Sequence, residues 1–358
     1  TFCGEYLHHR FNNNWCLSPE QSLLLHSGNW TVPEQLLVRS PTAGNKMTSL
    51  LHHTALLDIR TTIPDAKDIV IKNKMRLYSL ASALIGCTPK FFITHKNDMQ
   101  VALSMIADAS ELLELLLAGG HTTIAGRLAG AFRRIGREHI ANEILKTMQM
   151  VGYDVRISNP FEPSDIITFS SRERSPYINR MQLMWDNMRK EIIDYFPKPS
   201  KISMSHKRYL EQVESNYTAD AYHSLSIEGY RVSAELIQRV REQNWDPDNN
   251  SDDHAHKNAL AARGYWQAFQ AVKKSIAQVL EQQNPGRVVR NDHSDWYREL
   301  FGPSITAGIL KPPDWAGYRS GPVYIRRSKH VPPNHEAVRE LMPALFDHLQ
   351  DETNAGVR

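Results

Sequence analysis

Apolar positions change their rhythm twice along this chain. Over the first ~90 residues they fall in short runs closed by turn-forming residues, with few long helical patterns. Gln35-Leu36-Leu37-Val38, closed by Arg39, and the β-rich Asp68-Ile69-Val70-Ile71 predict short strands. From about Asp98 to Met150 the pattern becomes helical, with Val101, Met105, Leu112, Leu115 and Leu116 recurring at helical spacing. Gly119-Gly120 ends that run, and a second helical stretch covers Ala125 to Met150. Arg156 to Pro176 is polar and carries Asn159-Pro160, Pro163 and Ser170-Ser171, which predicts the main domain boundary. Beyond it the chain is again helical. A helix is expected from about His254 to Glu281, with Leu260, Trp266, Phe269, Val272, Ile276 and Val279 near helical spacing and Asn284-Pro285-Gly286 as the stop. The last helix is expected to begin at Pro332-Pro333-Asn334, and its Val338, Leu341, Met342, Leu345, Phe346 and Leu349 make one apolar stripe. Between these two helices, Ala316-Gly317-Tyr318-Arg319, the turn cluster Ser320-Gly321-Pro322, and Val323-Tyr324-Ile325-Arg326 predict a hairpin. The fold expected is therefore mainly α with an α+β N-terminal domain.

Composition narrows the classes. Hydrophobic residues make up 41% of the 358, enough to bury real cores. Lys plus Arg is 42 against 39 for Asp plus Glu, a net charge of +3, so the overall balance does not mark a nucleic-acid binder. No run of about 18 apolar residues is present, so no membrane helix is expected. Thr1-Phe2-Cys3-Gly4-Glu5 has no basic region followed by an apolar run, so no secretory signal is expected; the missing initial Met suggests a start inside a longer protein. Cys3, Cys16 and Cys87 form no C-x-x-C pair, which fits free thiols in a reducing, cytoplasmic setting. Cys87, after Ala83-Leu84-Ile85-Gly86, reads as core packing.

Several clusters invite a chemical reading. Asp252, Asp253, His254 and His256 lie within five positions, but the two histidines face different sides of a helix, and acids opening a helix answer its dipole. That spacing fits no common zinc pattern, and His8-His9 and His52-His53 stand without nearby carboxylates or thiols, so no metal site is expected. Arg127, Arg133, Arg134 and Arg137 lie in a stretch without acids and could meet phosphates. A solvated face over buried Leu128, Phe132 and Ile135 is the preferred reading. No G-x-x-x-x-G-K-[ST] loop, G-x-G-x-x-G run or G-x-S-x-G elbow appears.

One short run points further. In His223-Ser224-Leu225-Ser226-Ile227-Glu228-Gly229, the residues Ser224, Glu228 and Gly229 fit [S/T]-x-x-x-E-[G/N]. The run resembles the inhibitory motif of the Fic (Fido) family, which transfers AMP from ATP to a hydroxyl of a target protein. The order of later features is similar to that family too: Asn258-Ala259-Leu260-Ala261-Ala262, then the hairpin segment, then Val331-Pro332-Pro333 and Leu341-Met342. Over about Tyr177 to Glu352 the chain resembles the N-terminal part of a Fic core. The resemblance implies a helical domain over 177–358, a linker over 156–176, and a hairpin flap that docks a target through Tyr318, Arg319, Val323 and Ile325. It implies ATP and Mg²⁺ as cofactors, a protein target as partner, autoinhibition through Glu228, and no membrane; it admits a homo-oligomer. The catalytic signature H-P-F-x-x-G-N-G-R is absent, so no catalytic residue is assigned, and a continuation beyond Arg358 is expected to carry it. Residues 1–155 more loosely resemble AbiEi-type antitoxin regions of bacterial proteins, through Leu80 to Gly86 and the Gly126 to Arg137 helix. The alternative function this raises is a DNA-associated regulator or a non-catalytic interaction module.

Overall fold

The computed structural model describes residues 2–161, 175–197, 204–242, 256–311 and 317–358. The chain divides into two compact units, one of Thr1–Met188 with Pro322–Glu340, the other of Arg189–Gly321 with Leu341–Arg358. Among the described residues the structure is mainly helical with a small N-terminal sheet region.

The first unit opens with α1 (Phe2–Phe11), β1 (Cys16–Leu17), α2 (Pro19–His26), β2 (Gln35–Ser40), β3 (Met47–Ser49) and β4 (Ala55–Arg60). The strands form a mixed sheet in the order β1-β2-β4-β3, with β2 and β4 parallel and the outer pairs antiparallel. Along β4 the burial alternates, so Leu56 and Asp58 both face inward. The reversal before β4 places His52 and His53 at φ +58° and +57°, the two central positions of a tight turn that Thr54 closes onto Leu51 O. The histidine pair is thus turn chemistry. A separate hairpin follows, β5 (Ile69–Lys72) with β6 (Met75–Tyr78), whose two-residue loop Asn73-Lys74 also has positive φ. Both predicted strands are present in β2 and β5.

Six helices follow: α3 (Leu80–Gly86), α4 (Pro89–Thr94), α5 (Lys96–Ser104), α6 (Ser110–Gly119), α7 (Thr122–Arg134) and α8 (Glu138–Met150). Gly120 caps α6 in the left-handed region at φ +60°, as the Gly-Gly pair predicts. Their apolar faces enclose one core with Leu84, Phe92, Met99, Leu112, Leu128 and Phe132. Cys87 lies in that core, and burial pushes its thiol up to about 12. Leu128, Phe132 and Ile135 are buried as expected, but the solvated arginine face is only half present: Arg133 is exposed, while Arg127 and Arg137 turn inward. The reason is local. Gly126 and Gly130 remove side-chain bulk from one side of α7, and backbone 156–158 crosses there, with Ser158 N donating to Gly126 O. The opening residues of the expected linker therefore lie packed on a helix; residues 162–174 of it are outside the described set.

The last turn of α2 supplies a pH-sensitive contact. His26 Nε2 lies 2.8 Å from Tyr78 O, and burial lowers the imidazole's pKa below its ordinary 6.5. The unfolded chain then binds the proton more readily than the folded one. Stability of this unit is full above pH 6.5 and falls as the pH drops from there toward the lowered folded value. Unfolding curves between about pH 7.5 and 5.5 should show this slope, and His26→Gln should flatten it while keeping an amide donor for Tyr78 O.

The remaining helices are α9 (Pro176–Tyr195), α10 (His206–Ser215), α11 (Tyr217–Ile227), α12 (Ala234–Arg241), α13 (His256–Leu280), α14 (Pro285–Thr306) and α15 (His335–Asp351). Within the second unit α13 and α14 pack so closely that a Cβ on Gly264 would lie under 3.0 Å from Leu300 O. α13 matches the predicted His254 to Glu281 helix apart from its start. Asp252, Asp253 and His254 are outside the described residues. α15 carries the predicted stripe, with Phe346 buried and Glu336, Arg339 and Asp347 exposed.

The predicted hairpin is not formed. Residues 317–331 contain no strand. Three features explain this. Pro322 opens the second arm without an N–H for a ladder. A turn inside that arm, Ser328 N to Ile325 O with Arg327 at φ +61°, reverses the chain at once. Val323, Tyr324 and Ile325 are all exposed, so the apolar alternation has no covered face to fix a register. Ala316 lies outside the described residues.

Candidate functional site

α11 is set in place by a stripe of period four. Tyr217, Ala221 and Leu225 are buried one turn apart, and Tyr217 meets Trp266 and Phe269 of α13 edge-on at centroid distances of 4.6 and 5.0 Å. Asp220 and Ser224, also one turn apart, stand beside that stripe. Tyr265 of α13 reaches both. Its hydroxyl donates to Asp220 Oδ2 at 2.6 Å and lies 3.2 Å from Ser224 Oγ. Burial, and then the hydrogen bond to Asp220, raise the Tyr265 pKa, so the phenol stays protonated as the donor.

The C-terminal end of α11 is a Schellman motif. Gly229 takes φ +84°, its N–H bonds Ser226 O at 3.0 Å, and Tyr230 N bonds Leu225 O at 2.9 Å. A Cβ at Gly229 would meet nothing within 4 Å, so the requirement there is the left-handed backbone and not space. Glu228 is the cap residue just before it. Its side chain is exposed, and no hydrogen bond or ion pair joins its carboxylate to another described residue. The loop that follows is held by Asn258 Oδ1, which accepts from Arg231 N at 3.2 Å.

Ser224 and Glu228 share the rim of a cleft of about 550 Å³, with Tyr265 at its side and Leu300, Phe301 and Ser304 of α14 opposite. Glu228 is the charged residue of this lining; no lysine or arginine belongs to it. All of these residues lie within the second unit.

The four flap candidates do not line this cleft. Tyr318 OH lies 3.1 Å from His293 Nε2 of α14, with the two rings stacked, and burial raises the Tyr318 pKa. His293 in turn packs on Phe346 at 4.6 Å. Arg319 Nη1 donates to Gly321 O at 3.1 Å. Val323 and Ile325 are about half exposed in a segment that belongs to the first unit. Tyr265, Asp220 and His293 were not singled out by sequence reasoning. The Asp220–Ser224 pair at i,i+4 was the one local signal; the tyrosine that joins them is 41 positions from Ser224.

The arginines of α7 do not form one exposed row. Arg127 and Arg137 are buried, and Arg133 donates to Asn142 Oδ1 at 3.2 Å. Among the described residues no group of three or more His, Cys, Asp or Glu side chains is placed to hold a metal ion, and no helix is long and apolar enough to cross a membrane. Comparison with known proteins finds no family model, no curated relative and no solved structure that matches this chain.

Proposed function

We propose that the second unit carries the regulatory part of a Fic-type protein adenylyltransferase, with α11 as the inhibitory helix. The observation that supports this reading most is the placing of Glu228. A carboxylate without a partner among the described residues stands at the end of a helix, on the rim of a cleft, where it would oppose a polyphosphate by like-charge repulsion. Ser224, one turn earlier, is tied to α13 through Tyr265, which fixes the rotation of the helix and so the direction of Glu228. Tyr318 and Arg319, both in the second unit, are the proposed contacts for the target protein on this unit.

The cleft as it stands does not fit ATP with Mg²⁺. Among the described residues its lining offers one carboxylate and no cationic side chain to meet phosphates. The signature histidine that would deprotonate the target hydroxyl is not in this sequence. The residues present therefore restrain and position, and no chemical step is assigned to them.

The test uses the full product of the native gene and ATP labelled at the α-phosphate. Glu228→Gly should raise label transfer to protein by roughly tenfold, the effect of removing about 1.4 kcal/mol of opposition to the nucleotide. Equal labelling by both forms would remove Glu228 from regulation. No labelling by either would sink the adenylyltransferase reading, and the non-catalytic interaction module would then stand in its place.

A further inference from the structure

The first unit contains a buried positive charge with no ion-pair partner among the described residues. Arg127 of α7 is 8% exposed. Its best hydrogen bond is Nη2 to Cys87 O at 3.5 Å, the outer limit for such a bond, and its Nε has no partner. The Phe92 ring lies 5.2 Å from its central carbon, a cation–π contact that brings no hydrogen-bond acceptor. Arg137, the other inward arginine, is better served: it bonds Ser104 O at 3.0 Å and Ile106 O at 3.3 Å. A buried cation is costly unless an anion or good acceptors meet it.

Arg127 also lines a cavity of about 350 Å³ beside α7. Thr123, one turn before it on the same face, stands at the rim with Ser158 and Asn159 of the crossing segment. Neither hydroxyl has a hydrogen-bond partner among the described residues. Asn159 Oδ1 accepts from Phe161 N at 3.1 Å, which leaves its Nδ2 as a donor without a partner among them. Ile93 and Pro160 supply apolar wall, and no acidic residue is among the described residues of the lining. The first turn of α7 adds to this: Thr122 N bonds Gly120 O, but His121 at the cap position makes no side-chain cap bond, so the N–H groups of Thr123 and Ile124 have no partner among the described residues at the positive end of the helix dipole.

We propose that this cavity is a binding site for a phosphate group, with Arg127 at its floor and Thr123, Ser158 and Asn159 as neutral donors around it. The donor set decides the chemistry. A planar carboxylate would be saturated by the guanidinium fork alone. Donors spread over a helix and a crossing strand of backbone suit a tetrahedral oxyanion, whose oxygens point to several sides. The volume leaves room for a small organic body on that phosphate. Burial lowers the Arg127 pKa, and Cys87 acts against it. The site lies wholly in the first unit and does not depend on the adenylyltransferase reading.

The test is calorimetric titration of the purified protein with inorganic phosphate in a chloride buffer at fixed ionic strength, with glycerol phosphate, sulfate and acetate as parallel arms. Phosphate should bind saturably, sulfate more weakly, and acetate not measurably. Tighter binding of glycerol phosphate than of phosphate would assign the site to a phosphorylated small molecule; the reverse order would assign it to the free ion. Ser158→Ala, at an exposed position, should weaken phosphate by roughly three- to tenfold, the effect of one hydrogen bond. Arg127→Met should abolish binding. Because it replaces an unpaired buried charge with an apolar chain of similar length, it should leave the phosphate-free protein as resistant to heat as the wild type. Phosphate heats no larger than acetate heats, or wild-type affinity in both variants, would overturn the proposal. A large loss of heat resistance in phosphate-free Arg127→Met would overturn it too, since Arg127 would then be a satisfied structural residue.

Discussion

Gly130→Ala should destabilise the first unit by about 2 kcal/mol, although the same exchange in an open helix would stabilise it by about 1 kcal/mol. The sign is set by what lies against α7. A Cβ at Gly130 would fall under 3.0 Å from Ser158 O, and one at Gly126 under 3.0 Å from Arg156 O. Both obstacles are backbone carbonyls, which cannot swing aside as a side-chain tip can. Either α7 or the 156–161 segment must move. The segment is the softer partner, because one backbone bond, Ser158 N to Gly126 O, holds it directly. Its departure would expose Phe161, which is 2% exposed and packs on Phe92 at 5.8 Å. Hydrogen exchange of the Ser158 amide should therefore quicken more than that of the α7 interior. Gly152→Ala is the control. Its Cβ would meet nothing within 4 Å, so only the cost of φ +92° remains. Equal or higher stability in Gly130→Ala would show that the crossing segment is not seated on α7. Loss of phosphate binding in Gly130→Ala would follow from the same movement, since Ser158 and Asn159 ride on that segment.

How much of this was legible beforehand depended on range. Helices with a long apolar stripe were readable, because period and cap lie within a few residues of each other: Gly119-Gly120 marks the end of α6, and Pro332 to Asn334 precede α15. β2 and β5 were readable from short β-rich runs. β1, at two residues, and β3, at three, are too short to show any period. The turn at His52-His53 was hidden because histidine is an uncommon choice where φ is positive, and Asn or Gly carries the usual signal. The hairpin was misread for the opposite reason. Alternation at Val323 to Ile325 is a real local pattern, but it becomes a strand only where another element covers one face.

The candidate site shows the same divide. Ser224, Glu228 and Gly229 lie within six positions, and their helix-end geometry follows from Gly229 being able to take a left-handed φ. Tyr265 and the facing wall of α14 come from distant parts of the chain, and no local spacing announces them. Arg127 was misread because a run of arginines without acids looks solvated in sequence. Whether such a side chain is exposed depends on what crosses the helix, and here the two glycines that admit the crossing were in view at positions 126 and 130, without their partner.

Asp58→Ala should cost about 3–5 kcal/mol, the usual effect of breaking a buried charged pair from one side. Asp58 is fully buried on the inner face of β4. Its Oδ1 accepts from Gly44 N at 2.8 Å and from Lys46 N at 3.2 Å, so one oxygen fastens the chain that leads into β3. Its Oδ2 lies 2.6 Å from Arg10 Nη2 of α1, an ionic contact without good hydrogen-bond alignment. Alanine would leave two backbone N–H groups and a half-buried guanidinium without this acceptor, and each unmet group adds to the loss. Asp58→Asn should cost less. Its Oδ1 can still take the two N–H bonds, but its amide nitrogen would face Arg10 with a donor. Arg10→Met should cost less again, because the carboxylate keeps both backbone donors and Arg10 is already 27% exposed. The order Ala, Asn, then Met can be read from hydrogen exchange at the amides of β2 and β4, which reports this unit separately from the other. If Arg10→Met proved as damaging as Asp58→Ala, the ion pair and not the fastening of 44–46 would be the source of the stability. That result would move the weight of the N-terminal sheet from its loop to its first helix.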